Sequence, residues 1–139
     1  CFDIIGANPP QDIQELAEKD ERFRVHGFVD DIHSFFNKAA VFVCPIKDGG
    51  GTKLKILDAF SMGKAVVAHP IACEGICVTE GENVWFAETV SKYVEQIKSL
   101  IDDENLRHKL GAAARHLIEQ NYSYDAIGKQ LSDLYKTCV

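Results

Sequence analysis

Positive charge is scarce in this 139-residue sequence, which has 15 lysine and arginine residues, 21 aspartate and glutamate residues and a formal net charge of −6. Proteins that bind the phosphate backbone of nucleic acids usually carry a basic surface, so the composition argues against a nucleic-acid partner. No apolar stretch approaches the roughly 20 residues that a membrane-spanning helix needs. The first residues, Cys-Phe-Asp, also lack the basic start and apolar stretch of a signal peptide. The sequence therefore predicts no transmembrane segment.

Cysteine is too sparse to form a disulfide framework. The five cysteines are an odd number in a chain of 139 residues, whereas small disulfide-stabilised domains are short and dense in cysteine. Cys73 and Cys77 stand four residues apart, but no second pair or histidine follows at the spacing of a zinc site. The sequence contains no Asp-x-Asp motif either. The cysteine content predicts reduced thiols and a cytoplasmic location, and the cysteine spacing disfavours a zinc site.

Strand and helix patterns alternate along the first part of the chain. Strands are predicted at 2–5, 23–29, 41–46 and 65–68, with weaker strand-like segments at 76–78 and 84–87. Helices are predicted near 10–19, after Asp30 or Asp31, and near 52–62. Three amphipathic helices follow from residue 90, the second opened by Asp103 and the third by Ser123. This alternation predicts one α/β domain with a parallel sheet and right-handed crossovers.

The segment after the third predicted strand carries most of the predicted chemistry. There the glycine loop, residues Gly49, Gly50, Gly51 and Thr52, joins a buried strand directly to a helix. Ligands of open α/β sheets bind beyond the carboxyl ends of strands, which is where this loop is predicted to lie. Glycines let an anion approach the backbone, and free N–H groups at a helix start attract it. Thr52 adds a hydroxyl, and Lys53 and Lys55 add positive charge, so the segment favours phosphate binding.

Two polar residues interrupt the apolar faces of the helix after the glycine loop. Gly51, Lys55 and Asp58 lie at positions i, i+4 and i+7, on one face, where Lys55 can pair with a phosphate and Asp58 with ribose hydroxyls. Two simpler interpretations stay open. The glycines can form a flexible turn, and Lys55 and Asp58 can form a surface ion pair of a few tenths of a kcal/mol.

Two well-known nucleotide-binding motifs do not fit this segment. Gly63-Lys64 is followed by an alanine and lacks the upstream glycine of a Walker A motif. Leu54 occupies the position of the third glycine of a Gly-x-Gly-x-x-Gly dinucleotide motif. An NTPase or a dehydrogenase is therefore disfavoured.

The segment 49–68, GGGTKLKILDAFSMGKAVVA, resembles the donor-binding segment of the group 1 (family 4) glycosyltransferases. The segments 27–31 (GFVDD), 74–76 (EGI) and 106–115 (LRHKLGAAAR) are similar to further segments of that family. The resemblance covers essentially the whole chain. It implies a Rossmann-like three-layer domain, the C-terminal donor-binding half of a GT-B fold. It also implies that residues 1–139 form a single nucleotide-sugar-binding domain within a longer enzyme, with the acceptor domain and the catalytic residues upstream.

The resemblance also implies roles for individual residues. The backbone of Phe28 and Val29 would meet the base, and Asp58 would hold the ribose. The diphosphate of a UDP- or GDP-type sugar would be held by the glycine loop and its lysines, namely Gly49, Gly50, Gly51, Thr52, Lys53 and Lys55. Three positions depart from the common family pattern: Gly50 and Asp58 stand where glutamate is frequent, and His69 stands where threonine or serine is common.

The activity implied by the resemblance is a retaining, hexosyltransferase-type transfer from the nucleotide sugar to a glycan or lipid, as in polysaccharide biosynthesis. It needs no obligatory metal or other cofactor, and the fragment alone would be inactive. The full-length enzyme would be cytoplasmic, with peripheral association at the inner face of the membrane. Two alternatives stay open: one half of a sugar-nucleotide epimerase, and a non-catalytic phosphate- or nucleotide-binding module. Nucleotide titration separates the module from both enzymes, and product analysis separates transfer from epimerisation.

Overall fold

The structure is a computed structural model that describes residues 1–138, and in it strands alternate with helices in the predicted order. The first elements are β1 (Phe2–Ile4), α1 (Gln11–Lys19), β2 (Phe23–Val25), α2 (His33–Lys38) and β3 (Val41–Cys44). They are followed by α3 (Leu54–Ser61), β4 (Ala65–Ala68), a 3₁₀ helix (Pro70–Cys73) and β5 (Trp85–Phe86). The chain then continues as three helices, α4 (Val90–Asp102), α5 (Glu104–Asn121) and α6 (Tyr124–Thr137).

All strand pairs are parallel within residues 1–138, but the strands belong to two hydrogen-bonded sheets rather than one. β1 and β2 form the first sheet, and β3, β4 and β5 form the second with β4 at its centre. The chain folds as two compact units, Cys1–Phe35 and the part from Phe36 onward. The predicted parallel α/β architecture with C-terminal helices is confirmed. A single domain over residues 1–139 stays a prediction.

Strand β4 is the centre of the second unit, and its four residues are at most 1% exposed. Successive side chains of a strand point to opposite faces, so β4 contributes to two separate cores. Val66 and Ala68 lie in one core, with α3, and Ala65 and Val67 lie in the other, with α4 and α5. The principal helical partners are Ile56 and Phe60 in the first core and Leu100 and Leu110 in the second. Helices therefore cover both faces of this sheet, as a continuous apolar run predicts.

Several elements are shorter than predicted, and each end has a local cause. β3 ends at Cys44 because Pro45 has no N–H to donate to a neighbouring strand. β2 ends at Val25, shortly before Gly27, whose φ of +62° turns the backbone into the left-handed region. Helix α3 begins at Leu54, because the preceding residue, Lys53, has the non-helical angles φ −85° and ψ 99°.

The prediction of a strand at 76–78 is wrong. The segment follows a 3₁₀ helix and a turn, and the Val78 N–H donates to the carbonyl of Ile76 at 2.8 Å, which bends the backbone. The N–H of Cys77 donates to the Tyr122 hydroxyl at 2.8 Å. The apolar pattern instead reflects the burial of Ile76 in the first core.

The predicted caps at Asp103 and Ser123 are confirmed, and one of the two aspartates predicted to open α2 accepts a backbone N–H from one position before the N-cap. A side-chain oxygen of Asp103 accepts the N–H of Leu106 at 2.9 Å. The hydroxyl oxygen of Ser123 accepts the N–H of Ala126 at 3.1 Å. Of the two aspartates predicted to open α2, Asp31 accepts the N–H of His33 at 3.0 Å. These caps satisfy backbone donors that have no partner inside their helices.

Candidate functional site

The glycine loop lies beyond the carboxyl end of β3, as predicted from its place in the sequence. β3 and β4 are parallel neighbours, so the residues that follow them meet at one edge of the sheet. His69, directly after β4, donates its N–H to the carbonyl of Cys44, the last residue of β3, at 3.0 Å. The loop and the segment after β4 are therefore neighbours at the edge where α/β sheets bind ligands.

The backbone of the glycine loop is exposed and turns through the left-handed region. Gly49 has φ +95° and Gly51 has φ +78°, which residues with a Cβ rarely adopt. Within residues 1–138, no backbone N–H of residues 49–55 donates to a protein acceptor. These donors include the first turn of α3, where the helix dipole adds a partial positive charge. The segment thus presents a run of N–H groups from which an external anion can accept hydrogen bonds.

Lys53 directs its side chain back onto the glycine loop. Its Nζ donates to the carbonyl oxygens of Gly49 at 2.6 Å, Gly50 at 3.0 Å and Gly51 at 3.0 Å. The residue is half-buried, and it precedes the first residue of α3 without capping the helix by a side-chain bond. The ammonium group is therefore engaged with the backbone of the loop.

Lys55 and Asp58 are exposed side chains on α3. No hydrogen bond or ion pair within residues 1–138 involves either side chain. The interpretation of the two residues as a mutual surface ion pair therefore does not describe this structure. Burial raises the pKa of the Cys44 thiol, and the positive charges of Lys55 and Lys53 oppose that rise. Both ammonium groups therefore contribute positive charge at the end of β3.

Thr52 contacts the segment that follows β4. Gly75 has φ +79°, and a Cβ added there would lie 2.8 Å from the Thr52 Oγ1. Thr52 therefore occupies space that only a glycine at position 75 leaves free. The contact brings the 74–76 segment against the glycine loop and makes Gly75 a site residue that the sequence reasoning missed. The available signal was its place after the next strand, since neighbouring parallel strands deliver their loops to one edge.

His69 has a structural role at the same edge. Its Nδ1 accepts the N–H of Ile71 at 3.3 Å and so caps the 3₁₀ helix. The ring is half-buried.

Phe28 and Val29 lie in the first unit, after β2. Gly27 makes the turn, and its carbonyl accepts the N–H of Gly6 at 2.9 Å. The Phe28 side chain is 77% exposed, whereas Val29 is half-buried. Their contact with a base stays a prediction.

Among residues 1–138, no three histidine, cysteine, aspartate or glutamate side chains are grouped so that they could hold a metal ion. In the same part of the chain, none of the helices has the length and hydrophobicity needed to span a bilayer.

Comparison with known proteins identifies the family. The profile of the family "Glycosyl transferases group 1" matches residues 1–103. The capsular polysaccharide biosynthesis glycosyltransferase CapM of Staphylococcus aureus is 30% identical over 111 residues, which are 78% of this chain and 29% of CapM. The chain thus spans less than a third of the length of this relative.

Solved structures share the fold. The C-terminal domain of the group 1 glycosyl transferase LpcC from Francisella tularensis superposes with a TM-score of 0.70 at 21% identity, over 82% of this chain and 62% of that one. Anabaena HepE, solved in complex with UDP, superposes with a TM-score of 0.78 at 20% identity, over 97% of this chain and 40% of that one. The chain belongs to the group 1 glycosyltransferases and has the α/β fold of a GT-B glycosyltransferase domain.

Proposed function

We propose that this chain is the donor-binding part of a retaining, hexosyltransferase-type glycosyltransferase, and that its glycine loop holds the diphosphate of a UDP- or GDP-sugar. The observation that carries the proposal is the run of N–H groups in residues 49–55 that have no acceptor within residues 1–138. They lie at the carboxyl edge of a parallel sheet and at the start of a helix. These exposed N–H groups are open to an external acceptor, and a diphosphate supplies several acceptor oxygens.

In the proposed reaction, the bond between the sugar and the diphosphate breaks, and negative charge develops on the leaving diphosphate. Backbone donors of the glycine loop, the α3 dipole and the exposed ammonium of Lys55 stabilise that charge. The sugar becomes oxocarbenium-like at the same time, as in glycoside chemistry generally. The proposal assigns charge neutralisation to these protein groups, without an obligatory metal ion or other cofactor.

Asp58 is the proposed ribose ligand. Its carboxylate is exposed and unpaired in the described part of the chain, one turn along α3 from Lys55. Residues three positions apart on a helix are neighbours, so one nucleotide can reach both side chains. A carboxylate accepts hydrogen bonds from the two ribose hydroxyls, whereas Lys55 donates to phosphate.

Relatives support the proposed donor and product classes. HepE has been solved with UDP and with UDP-glucose, and CapM is named for capsular polysaccharide biosynthesis. Because this chain spans only part of these proteins, we place the acceptor site and the catalytic residues of the whole enzyme upstream of residue 1. The same proposal includes a glycan or lipid acceptor, a cytoplasmic location and peripheral contact with the inner face of the membrane.

Calorimetric titration of the chain with UDP, GDP and ADP tests the proposal. One nucleotide should bind, and Lys55→Ala should weaken its binding by about 1–3 kcal/mol, the range for a hydrogen bond to a charged group. Lys98→Ala removes an equal charge from an exposed lysine of α4 and should leave the affinity unchanged. No binding of any nucleotide by the wild-type chain would refute the donor-binding role, and equal affinities of wild type and Lys55→Ala would remove Lys55 from it.

The ribose role of Asp58 has its own test. Asp58→Ala should weaken UDP binding by about 1 kcal/mol or more, the contribution of hydrogen bonds to a charged group. Binding of inorganic pyrophosphate, which has no ribose, should not weaken. Equal losses for the two ligands would contradict the assignment.

A further inference from the structure

Lys53 uses its side chain differently from the other lysine at the site. An ammonium group has three N–H donors, and the Lys53 Nζ has three carbonyl acceptors, those of Gly49, Gly50 and Gly51. All three distances lie between 2.6 and 3.0 Å, within the range of charge-assisted hydrogen bonds. While these bonds stand, no N–H of this ammonium remains for a phosphate oxygen.

These three carbonyls determine where the N–H groups of the glycine loop point. A trans peptide unit is planar, with its C=O and N–H directed to opposite sides, and no cis peptide bond occurs among the described residues. The carbonyls of Gly49, Gly50 and Gly51 belong to the same peptide units as the N–H groups of Gly50, Gly51 and Thr52. Since the carbonyls converge on Nζ, these N–H groups are directed away from it. They are among the donors that lack an acceptor within residues 1–138.

We propose that Lys53 is a positioning residue of the diphosphate site: it holds the glycine loop from behind and turns the N–H groups of Gly50, Gly51 and Thr52 outward. This proposal rests on the proposed function, and it separates the roles of two nearby lysines. Lys53 acts through the backbone and does not contact the diphosphate. Lys55, whose ammonium is unpaired within the described residues, contacts it directly.

A loop of three glycines needs an interaction that fixes its backbone before the ligand binds. Glycine loses more backbone freedom on ordering than any other residue, so an unrestrained loop would have to be ordered by the ligand at a cost in affinity. Three carbonyl oxygens that converge on one point also repel one another unless a cation lies between them. The Lys53 ammonium removes that repulsion, and its hydrogen bonds polarise the peptide units and strengthen their N–H donors.

The test compares Lys53→Met with Lys55→Met, which remove one charge each and retain an unbranched side chain. ¹H–¹⁵N spectra of the free protein report the amides of Gly50, Gly51 and Thr52, and titration with UDP reports affinity. In Lys53→Met these amides should shift or broaden before any ligand is added, and the dissociation constant should rise about tenfold or more, as expected for the loss of charge-assisted bonds. In Lys55→Met the three amides should stay in place while UDP binding weakens.

Three outcomes would overturn the proposal. If the three amide resonances do not shift in Lys53→Met while UDP binding weakens, Lys53 is a direct ligand of the diphosphate. Moved amides with unchanged affinity, whether or not the melting temperature falls, would leave Lys53 a structural role only. Unmoved amides with unchanged affinity would exclude both roles.

Failure of the proposed function gives a different result. If the wild-type chain bound none of UDP, GDP, ADP and inorganic pyrophosphate, the diphosphate site itself would be refuted, and with it the positioning role of Lys53. The free-state spectra would still report whether Lys53 orders the loop. Failure of the Lys53 proposal alone would appear as a wild-type chain that binds UDP and a Lys53→Met variant that gives one of the three contrary outcomes.

Discussion

Replacing Gly75 with alanine tests whether the segment after β4 supports the glycine loop. The backbone of Gly75 is left-handed, with φ +79°, and an L-residue there costs roughly 1–2 kcal/mol of stability. The new Cβ would also lie 2.8 Å from the Thr52 Oγ1, which is too close for two such atoms. The Thr52 side chain can rotate to relieve this contact, so the clash itself adds little to the cost in stability. The rotation moves the hydroxyl, however, and that hydroxyl is a proposed diphosphate ligand.

The expected loss of affinity follows from that displacement. A neutral hydrogen bond contributes about 0.5–1.5 kcal/mol, so the UDP dissociation constant of Gly75→Ala should rise about 2- to 12-fold. Gly81→Ala is a matched control, because Gly81 has φ +81° and no heavy atom of the described chain within 4 Å of an added Cβ. Both variants should lose similar stability in thermal unfolding. Only Gly75→Ala should lose affinity in calorimetric titration.

A double-mutant cycle with Thr52→Ala identifies the cause. Without Oγ1, the nearest Thr52 atom to the added Cβ is the Thr52 Cβ at 4.0 Å, an ordinary contact. Gly75→Ala should therefore cause no further loss of affinity in a Thr52→Ala background. The reasoning is refuted if Gly75→Ala weakens binding equally in both backgrounds, or if it binds UDP as Gly81→Ala does.

Two further predictions concern packing and thiol chemistry. Gly111→Ala in α5 would make a Cβ overlap the carbonyl oxygen of Gly63, so chemical denaturation should show a net loss of about 1–2 kcal/mol after the gain in helix propensity is subtracted. Gly128→Ala in α6, where no described heavy atom lies within 4 Å of the added Cβ, should be neutral or stabilising, and equal effects at the two sites would contradict the overlap. Burial, together with nearby Cys44, raises the pKa of the Cys73 thiol to about 12, so iodoacetamide at pH 8 should label exposed Cys77 and spare Cys73, as peptide mass spectrometry can measure. Equal labelling of the two thiols would show that Cys73 is accessible.

Local sequence was sufficient for most of the secondary structure and for the place of the candidate site. The caps at Asp103 and Ser123 depend on a side chain and a backbone N–H three residues away, so their residue types predict them directly. The glycine loop was also predictable, since a buried strand, glycines and an amphipathic helix follow one another without interruption. Where local patterns misled, as at 76–78, an apolar segment was buried by a turn rather than by a strand.

The sequence by itself determined a parallel α/β architecture and a glycine loop at the edge of its sheet, because periodicity, capping and glycine content act over a few neighbouring positions. Only the tertiary structure decided that the strands form two sheets, that Gly75 lies against Thr52 and that Gly111 approaches Gly63. It also decided that Lys53 turns back onto the loop, whereas Lys55 makes no hydrogen bond or ion pair with any residue of 1–138. These features depend on the path of the backbone after β3 and β4 and on side-chain rotation. The sequence does not distinguish the two lysines, because a lysine at either position carries the same charge on a side chain of the same length.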